Sequence, residues 1–406
     1  MKIRSITYFC NPGWPLDEKK IKAAGTFLAE AKTNFETAGY EVQTTRLATI
    51  PFPLLLGADK VFETPRLAAK LSQLLPEVGI AYAALGPAVP GIPDSYRVLP
   101  NAISVSKNIF FSGIMADAKR GISLPAVNAC ADVIVQTARL DPNGFANLNF
   151  AALANVPPGA PFFPAAYHSG NEPAFALAME AADVAVQAFE NAETIEAGRN
   201  SLIAVLEENA QILAKIADIL KFKYLVKFGG IDYSLAPFPE EARSLGTAFE
   251  RMGVPEVGLH GTLAAAAILT DAIDRARFPR AGFSGLMMPV LEDAVLAERA
   301  AEGRLTVKDL LLYSAVCGTG LDTVPLAGDV TSGQIAALLL DLSALAMRLE
   351  KPLTARLMPV PGKQAGDMTS FDFGYFANSR VMALKAEPLG KVLAGQEIFQ
   401  INSRIH

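Results

Sequence analysis

IRSITYFCNPGWPLDEKKIKAAGTFLAEAKTNFETAGYEVQTTRL, residues 3–47, decides the fold class. Ile3-Arg4-Ser5-Ile6-Thr7-Tyr8-Phe9 is dense in β-branched and aromatic residues and reads as a strand, Asn11-Pro12-Gly13 as a turn, and Leu16 to Ala38 as an amphipathic helix. A second strand resumes from Glu41 to Leu47. Outward from there the pattern continues. Thr64-Pro65 supplies an N-cap and a proline for the first helical turn, Leu67, Leu71, Leu74 and Leu75 give that helix an apolar face, and Gly79 to Leu85 reads as the next strand. Strands alternating with helices predict parallel strands joined by crossover helices, the α/β class.

Further along, Glu193 to Phe222 forms the clearest helix. Leu202, Val205, Leu206, Ile212, Leu213, Ile216 and Leu220 share helical spacing, and charges fall opposite, as in an outer-layer helix. Thr306 with Asp309, and Thr331 with Gln334, mark two more helix starts, the second as a capping box. Leu353 to Leu384 is rich in strand formers broken by Pro361-Gly362 and Gly374, so 353–386 is expected to be a strand-rich segment closing the core. Pro157-Pro158-Gly159-Ala160-Pro161 is the strongest loop signal. It reads either as a domain linker or as a functional loop on one scaffold. Mean apolarity does not change across it, which favours a single domain over 1–406.

The chain has 406 residues, 51% hydrophobic and 19% charged, which excludes disorder. With 36 basic against 41 acidic residues the net charge is −5, so no general electrostatic case exists for nucleic acid or anionic membrane, and a small-molecule partner is expected. Composition leaves association into a homo-oligomer open. Mean hydropathy is +0.28, high enough to test for membrane spans. A spanning helix needs ~20 apolar residues. The uncharged run Val257 to Thr270 stops at Asp271, and Val78 to Pro93 contains three prolines. The apolar run after Met1-Lys2-Ile3-Arg4 is too short for a signal peptide. Cys10, Cys130 and Cys317 form no CxxC pair, so a reduced cytoplasmic protein without a cysteine-type zinc site is expected.

Residues able to do chemistry gather at turns flanked by glycine and proline. His168 lies in Tyr167-His168-Ser169-Gly170-Asn171-Glu172, where an imidazole beside Glu172 is placed to act as base, metal ligand or anchor, unless it is simply a structural loop residue. His260, in Gly258-Leu259-His260-Gly261-Thr262, opens a helix whose backbone donors could face an anion, though an ordinary helix start explains the same residues. Asp232 and Ser234 alternate along a strand and share one face, which is costly on the core side unless they bind something. Cys317 in Val316-Cys317-Gly318-Thr319-Gly320-Leu321-Asp322 is either a reactive thiol or a small packed residue, and Gly318 and Gly320 would let backbone approach a ligand. Ser284-Gly285 with Glu292-Asp293, and Gly362-Lys363 with Gly366-Asp367, are further polar turns, Lys363 being an anion ligand candidate. No phosphate-loop, GxGxxG, GxSxG or HExxH pattern occurs, so no nicotinamide or nucleotide cofactor is indicated.

The motifs DYSLAPFP (232–239), VGLHGT (257–262), FSGLMMPVLED (283–293), Cys-Gly-x-Gly-Leu-Asp (317–322) and GKQAGDM (362–368), in this order, resemble the uncharacterised bacterial and archaeal family called domain of unknown function number 711. The likeness also takes in the opening strand, Lys119-Arg120-Gly121-Ile122 and Tyr167-His168-Ser169-Gly170 with Glu172. It implies a fold similar to pyruvate formate-lyase: a ten-stranded barrel-like core of two parallel half-sheets surrounded by helices. The glycyl-radical signature of the true lyases, arginine-valine followed closely by glycine-tyrosine, is absent, because Arg380-Val381 runs on to Met382-Ala383 and Gly374-Tyr375 precedes it.

The resulting expectation is a central pocket fed by loops at one end of the barrel. His260, His168, Asp232 and Cys317 are its candidate catalytic residues. Ser234, Ser284, Gly318, Gly320, Lys363 and Asp367 are its candidate ligand contacts, and Glu172 and Asp322 its candidate ligands for a divalent metal. Such a set suits acid–base or metal-assisted chemistry on a small polar or anionic metabolite. The competing class is a regulatory protein that binds a metabolite without turnover, and radical chemistry stands third.

Overall fold

The computed structural model describes residues 1–403, so His406 lies outside the described residues. Its strands are β1 (Lys2–Cys10), β2 (Val42–Thr49), β3 (Tyr82–Ala88), β4 (Ile109–Asp117), β5 (Gly121–Ser123), β6 (Phe150–Ala154), β7 (Ala174–Glu180), β8 (Lys227–Ala236), β9 (Gly320–Ala327), β10 (Leu353–Val360) and β11 (Ile398–Phe399). The opening stretch folds as its pattern predicts. β1 is followed by the helix Glu18–Thr37, capped by the Asp17 carboxylate, which accepts from the Lys19 amide at 3.0 Å, and then by β2, parallel to β1.

One eleven-stranded sheet results, with nine strands in the order β8-β7-β1-β2-β3-β4-β6-β10-β9. β1, β2, β3, β4 and β6 form a parallel centre. A parallel pair flanks each side, β7 with β8 and β10 with β9, and each pair joins the centre antiparallel. β5 and β11 make a short antiparallel extension beside β4. Laid flat, nine strands would span about 38 Å. Yet Met287 donates its amide to Ser234 of β8 and Val290 donates to Asp322 of β9, so four residues reach both outermost strands. The sheet is therefore curled until its edges nearly meet.

It does not close into a barrel, which corrects the ten-stranded, two-half-sheet expectation. β8 and β9 do not pair with each other. The segment between them carries Gly282, Gly285 and Pro289, which break a strand ladder, and it makes only isolated bridges at Arg280 and Pro289. Of the segment 353–386, only β10 is a strand; the rest runs irregularly, with isolated bridges Leu326 to Met382 and Met368 to Arg380.

Helices cover the convex side. Ile195–Tyr224 buries Leu202, Leu206, Leu213 and Leu220 and leaves Ile212 exposed. Both expected helix starts at Thr306 and Thr331 are capping boxes. No helix among the described residues is long and apolar enough to cross a membrane.

The concave side is filled by residues 160–168, which follow the exposed Pro157 and Pro158 of the proline-rich loop. Phe162, Phe163, Ala165, Ala166 and Tyr167 are buried against small residues of the strands, among them Ala48, Ala84, Ala151, Ala176 and Ala178. Thr7 donates its hydroxyl to the Pro161 carbonyl at 2.9 Å, and the His168 amide donates to Thr49 at 2.9 Å, fixing both arms of the loop. The loop divides the concave side into two cavities.

Candidate functional site

The first cavity, of about 170 Å³, is lined by concave-face residues of six strands: Arg4 of β1, Thr44 and Arg46 of β2, Tyr82 of β3, Phe110 of β4, Asp322 of β9 and Arg356 of β10. Phe162 and Phe163 of the loop, Phe145, Met287, Glu292, Phe373 and Tyr375 complete its walls. Exposed Lys107 and Tyr375 stand at its mouth. Each strand places its residue by alternation, so an arginine one step from Thr45 and Leu47 points inward while those two point to the convex layer.

Three of its charged groups form a buried chain with Arg4. Arg356 donates Nε to Asp322 at 2.5 Å and a terminal nitrogen to Glu292 at 2.6 Å, and Arg4 donates to the other Glu292 oxygen. Burial pushes the Glu292 carboxyl up, but Arg4 and Arg356 more than offset this and hold it below the usual range. Burial raises Asp322 despite the pull of Arg356, so Asp322 is the first of this chain to take a proton as pH falls.

Arg46 is different. Its Nε donates to Thr44 Oγ1 at 2.9 Å, and its guanidinium lies 5.0 Å from the Phe163 ring centre and 6.0 Å from that of Tyr82. It has no carboxylate partner among the described residues. Burial, with Arg4 nearby, lowers its pKa to about 9, so it remains a cation at neutral pH. The cavity thus holds four basic side chains against two carboxylates, on aromatic walls.

The second cavity, about 920 Å³ and more open, contains His168, Glu172 and Ser284, three of the residues singled out by sequence. His168 is buried, its Nε2 has no hydrogen-bond partner, and burial lowers its pKa, so the ring is neutral. Glu172 is exposed at the rim. Asp232 and Ser234 do share a face: the Ser234 hydroxyl donates to Asp232 at 2.5 Å. The same carboxylate also accepts the amides of Phe283 and Ser284, at 2.7 and 2.9 Å, and burial raises its pKa to about 6. Asp232 is therefore the anchor of the 282–284 turn.

The other expected residues do not join a shared pocket. His260 is exposed beside a separate cavity, bounded by Arg251, Pro255 and Ala264, that has no lining residue in common with the other two. Cys317 is buried in the core. Gly318 packs against Gly285 and Gly320 against Thr354, so these glycines admit neighbouring backbone rather than a ligand. Asp367 closes its own turn by accepting the Gln364 amide at 2.7 Å, and Lys363 belongs to the same surface turn. Glu172 and Asp322 line different cavities, and Asp322 is engaged by Arg356, so the two do not fit one metal site. No group of three or more His, Cys, Asp or Glu side chains able to hold a metal occurs among the described residues.

Arg4, Arg46, Arg356 and the aromatic walls were not singled out by sequence. Their signal was present: each arginine is the one charged residue in an otherwise uncharged strand stretch, in IRSITYF, TTRLAT and LTARLMPV.

The sequence profile described as Uncharacterised ACR (DUF711) matches residues 1–378. A UPF0210 protein of Pyrobaculum aerophilum is 33% identical over 355 residues, covering 83% of this chain and 77% of the relative. UPF0210 proteins of Methanopyrus kandleri and Oenococcus oeni are 30% and 29% identical over 379 and 377 residues, each covering 88% of this chain and 82% of the relative. The chain belongs to the DUF711 family of uncharacterised proteins.

Proposed function

We propose that the chain binds a small anionic metabolite in the concave-face cavity, with Arg46 receiving its negative charge. One observation carries this reading: Arg46 is a half-buried cation of the cavity with no ion-paired carboxylate, while Arg4 and Arg356 are matched by Glu292 and Asp322. A partly desolvated charge without an ion-pair partner is costly, and an incoming anion relieves that cost. Chemistry on the bound molecule falls to Asp322, the one carboxyl of the cavity whose pKa is raised, acting as acid or base.

The test is thermal unfolding of the full chain with acetate, inorganic phosphate and benzoate at matched ionic strength. At least one anion should raise the Tm of the native chain and leave Arg46→Met unmoved, while the variant without anion unfolds at a higher temperature than the native chain. Equal anion-dependent shifts in both proteins would contradict the assignment. A second reading rests on the orphan Nε2 of His168. If that cavity were the anion site, His168→Ala rather than Arg46→Met would abolish the shift.

A further inference from the structure

The walls of the same cavity narrow the class of ligand, an inference that rests on the anion reading above. Tyr82 and Phe110 meet edge to face at 5.5 Å, and Phe110 meets Phe163 at 5.4 Å. A second group also lines the cavity: Phe145 and Phe373 meet at 5.1 Å and Phe373 and Tyr375 at 5.3 Å. These two aromatic groups enclose a space of about 170 Å³ with Arg46 on one wall. An apolar cavity of about 150 Å³ holds one benzene molecule. An inorganic anion would leave most of these ring faces uncovered, whereas a flat ring would cover them and make offset or edge-to-face contacts. The Arg46 guanidinium is itself planar and already sits over Phe163, so it presents its fork of donors to a carboxylate lying in or near the plane of such a ring.

We propose that the cavity takes a monocyclic aromatic carboxylate, its carboxylate on Arg46 and its ring between the Tyr82–Phe110–Phe163 group and the Phe145–Phe373–Tyr375 group. One six-membered ring with its carboxylate fits a space of this size. The exposed Lys107 at the mouth adds positive charge along the way in, against the acidic net charge of the whole chain.

Calorimetric titration of the full chain with five probes tests this: benzoate, cyclohexanecarboxylate, acetate, inorganic phosphate and phenol. Benzoate should bind at least about tenfold tighter than acetate or phosphate, from the buried ring area and its aromatic contacts. It should also bind tighter than cyclohexanecarboxylate, which matches its volume without its flatness. Arg46→Met should weaken benzoate at least about tenfold and leave phenol unchanged, because only benzoate uses the charge. Acetate or phosphate binding as tightly as benzoate, with Arg46→Met abolishing both, would overturn the aromatic class and leave the anion site standing. Absence of binding by every anion would overturn both. The ranking of probes on the native chain requires no variant, so a variant that fails to fold cannot hide the answer.

Discussion

Half-buried Arg46 and fully buried Asp232 show how differently two charged groups can be used. An anion about 4 Å from the Arg46 guanidinium gains roughly 4 kcal/mol at the effective dielectric of about 20 suited to such sites, enough to offset much of the cost of entering the cavity. Asp232 already has its partners, three hydrogen-bond donors around the 282–284 turn, and is nonetheless driven up to about 6 by burial from an ordinary 3.8. Because the folded value is the higher one, the protonated carboxyl favours folding. That contribution is complete below about pH 4 and is lost as pH rises through 6, amounting to roughly 3 kcal/mol at most. Asp232→Asn carries no charge at any pH, so its stability relative to the native chain should rise by up to that amount between pH 4 and pH 7 in urea unfolding. Parallel profiles would show that Asp232 titrates normally. At this scale the sequence was partly legible. The i, i+2 spacing of Asp232 and Ser234 revealed their shared face, whereas an arginine within a strand carries no glycine- or proline-flanked turn to mark it as a site residue. His260, flanked by glycines, looks like a site residue in sequence and is an exposed turn residue in the fold.

Among the elements, the segment 280–291 has the most unusual position. It lies between two strand edges that would otherwise be free, and it approaches the turn before β9 so closely that Gly285 and Gly318 touch through backbone. A Cβ built on Gly318 would stand 2.6 Å from Gly285 Cα. Nothing flexible can yield there. Gly318→Ala should therefore destabilise the chain by about 1–3 kcal/mol. Gly374→Ala, where a Cβ meets nothing within 4 Å, should be nearly neutral by comparison in the same urea experiment. Equal effects would mean that the segment shifts freely. Ser284, Leu235 and Thr323, in and beside this segment, hold positive φ angles of 42°, 42° and 40°, so local strain collects where the edges are bridged. Regular elements were the most legible part of the sequence: the first strand–helix–strand unit, the long helix and the helix starts at Thr306 and Thr331 follow from local pattern alone. The bridging segment was not legible, because its conformation is set by two strands that lie elsewhere in the chain.

For the whole molecule, curvature creates the site. A flat sheet would leave Arg4 on β1 far from Asp322 on β9, six strands away in the row. Curling brings both into one cavity, and residues 160–168 fill what remains. Alternation predicts which residues share a face of each strand, but only the curl decides that the faces converge, and that depends on contacts between residues hundreds of positions apart. Resemblance to the family implied a barrel-like core of strands, and the sheet does not close into one. The position of a bound anion is the decisive measurement, and a crystal structure of the chain grown with benzoate would show it. Carboxylate density within about 3.2 Å of the Arg46 guanidinium, with the ring between Phe110 and Phe373, is the predicted result. Benzoate in the His168 cavity, with none beside Arg46, would contradict it.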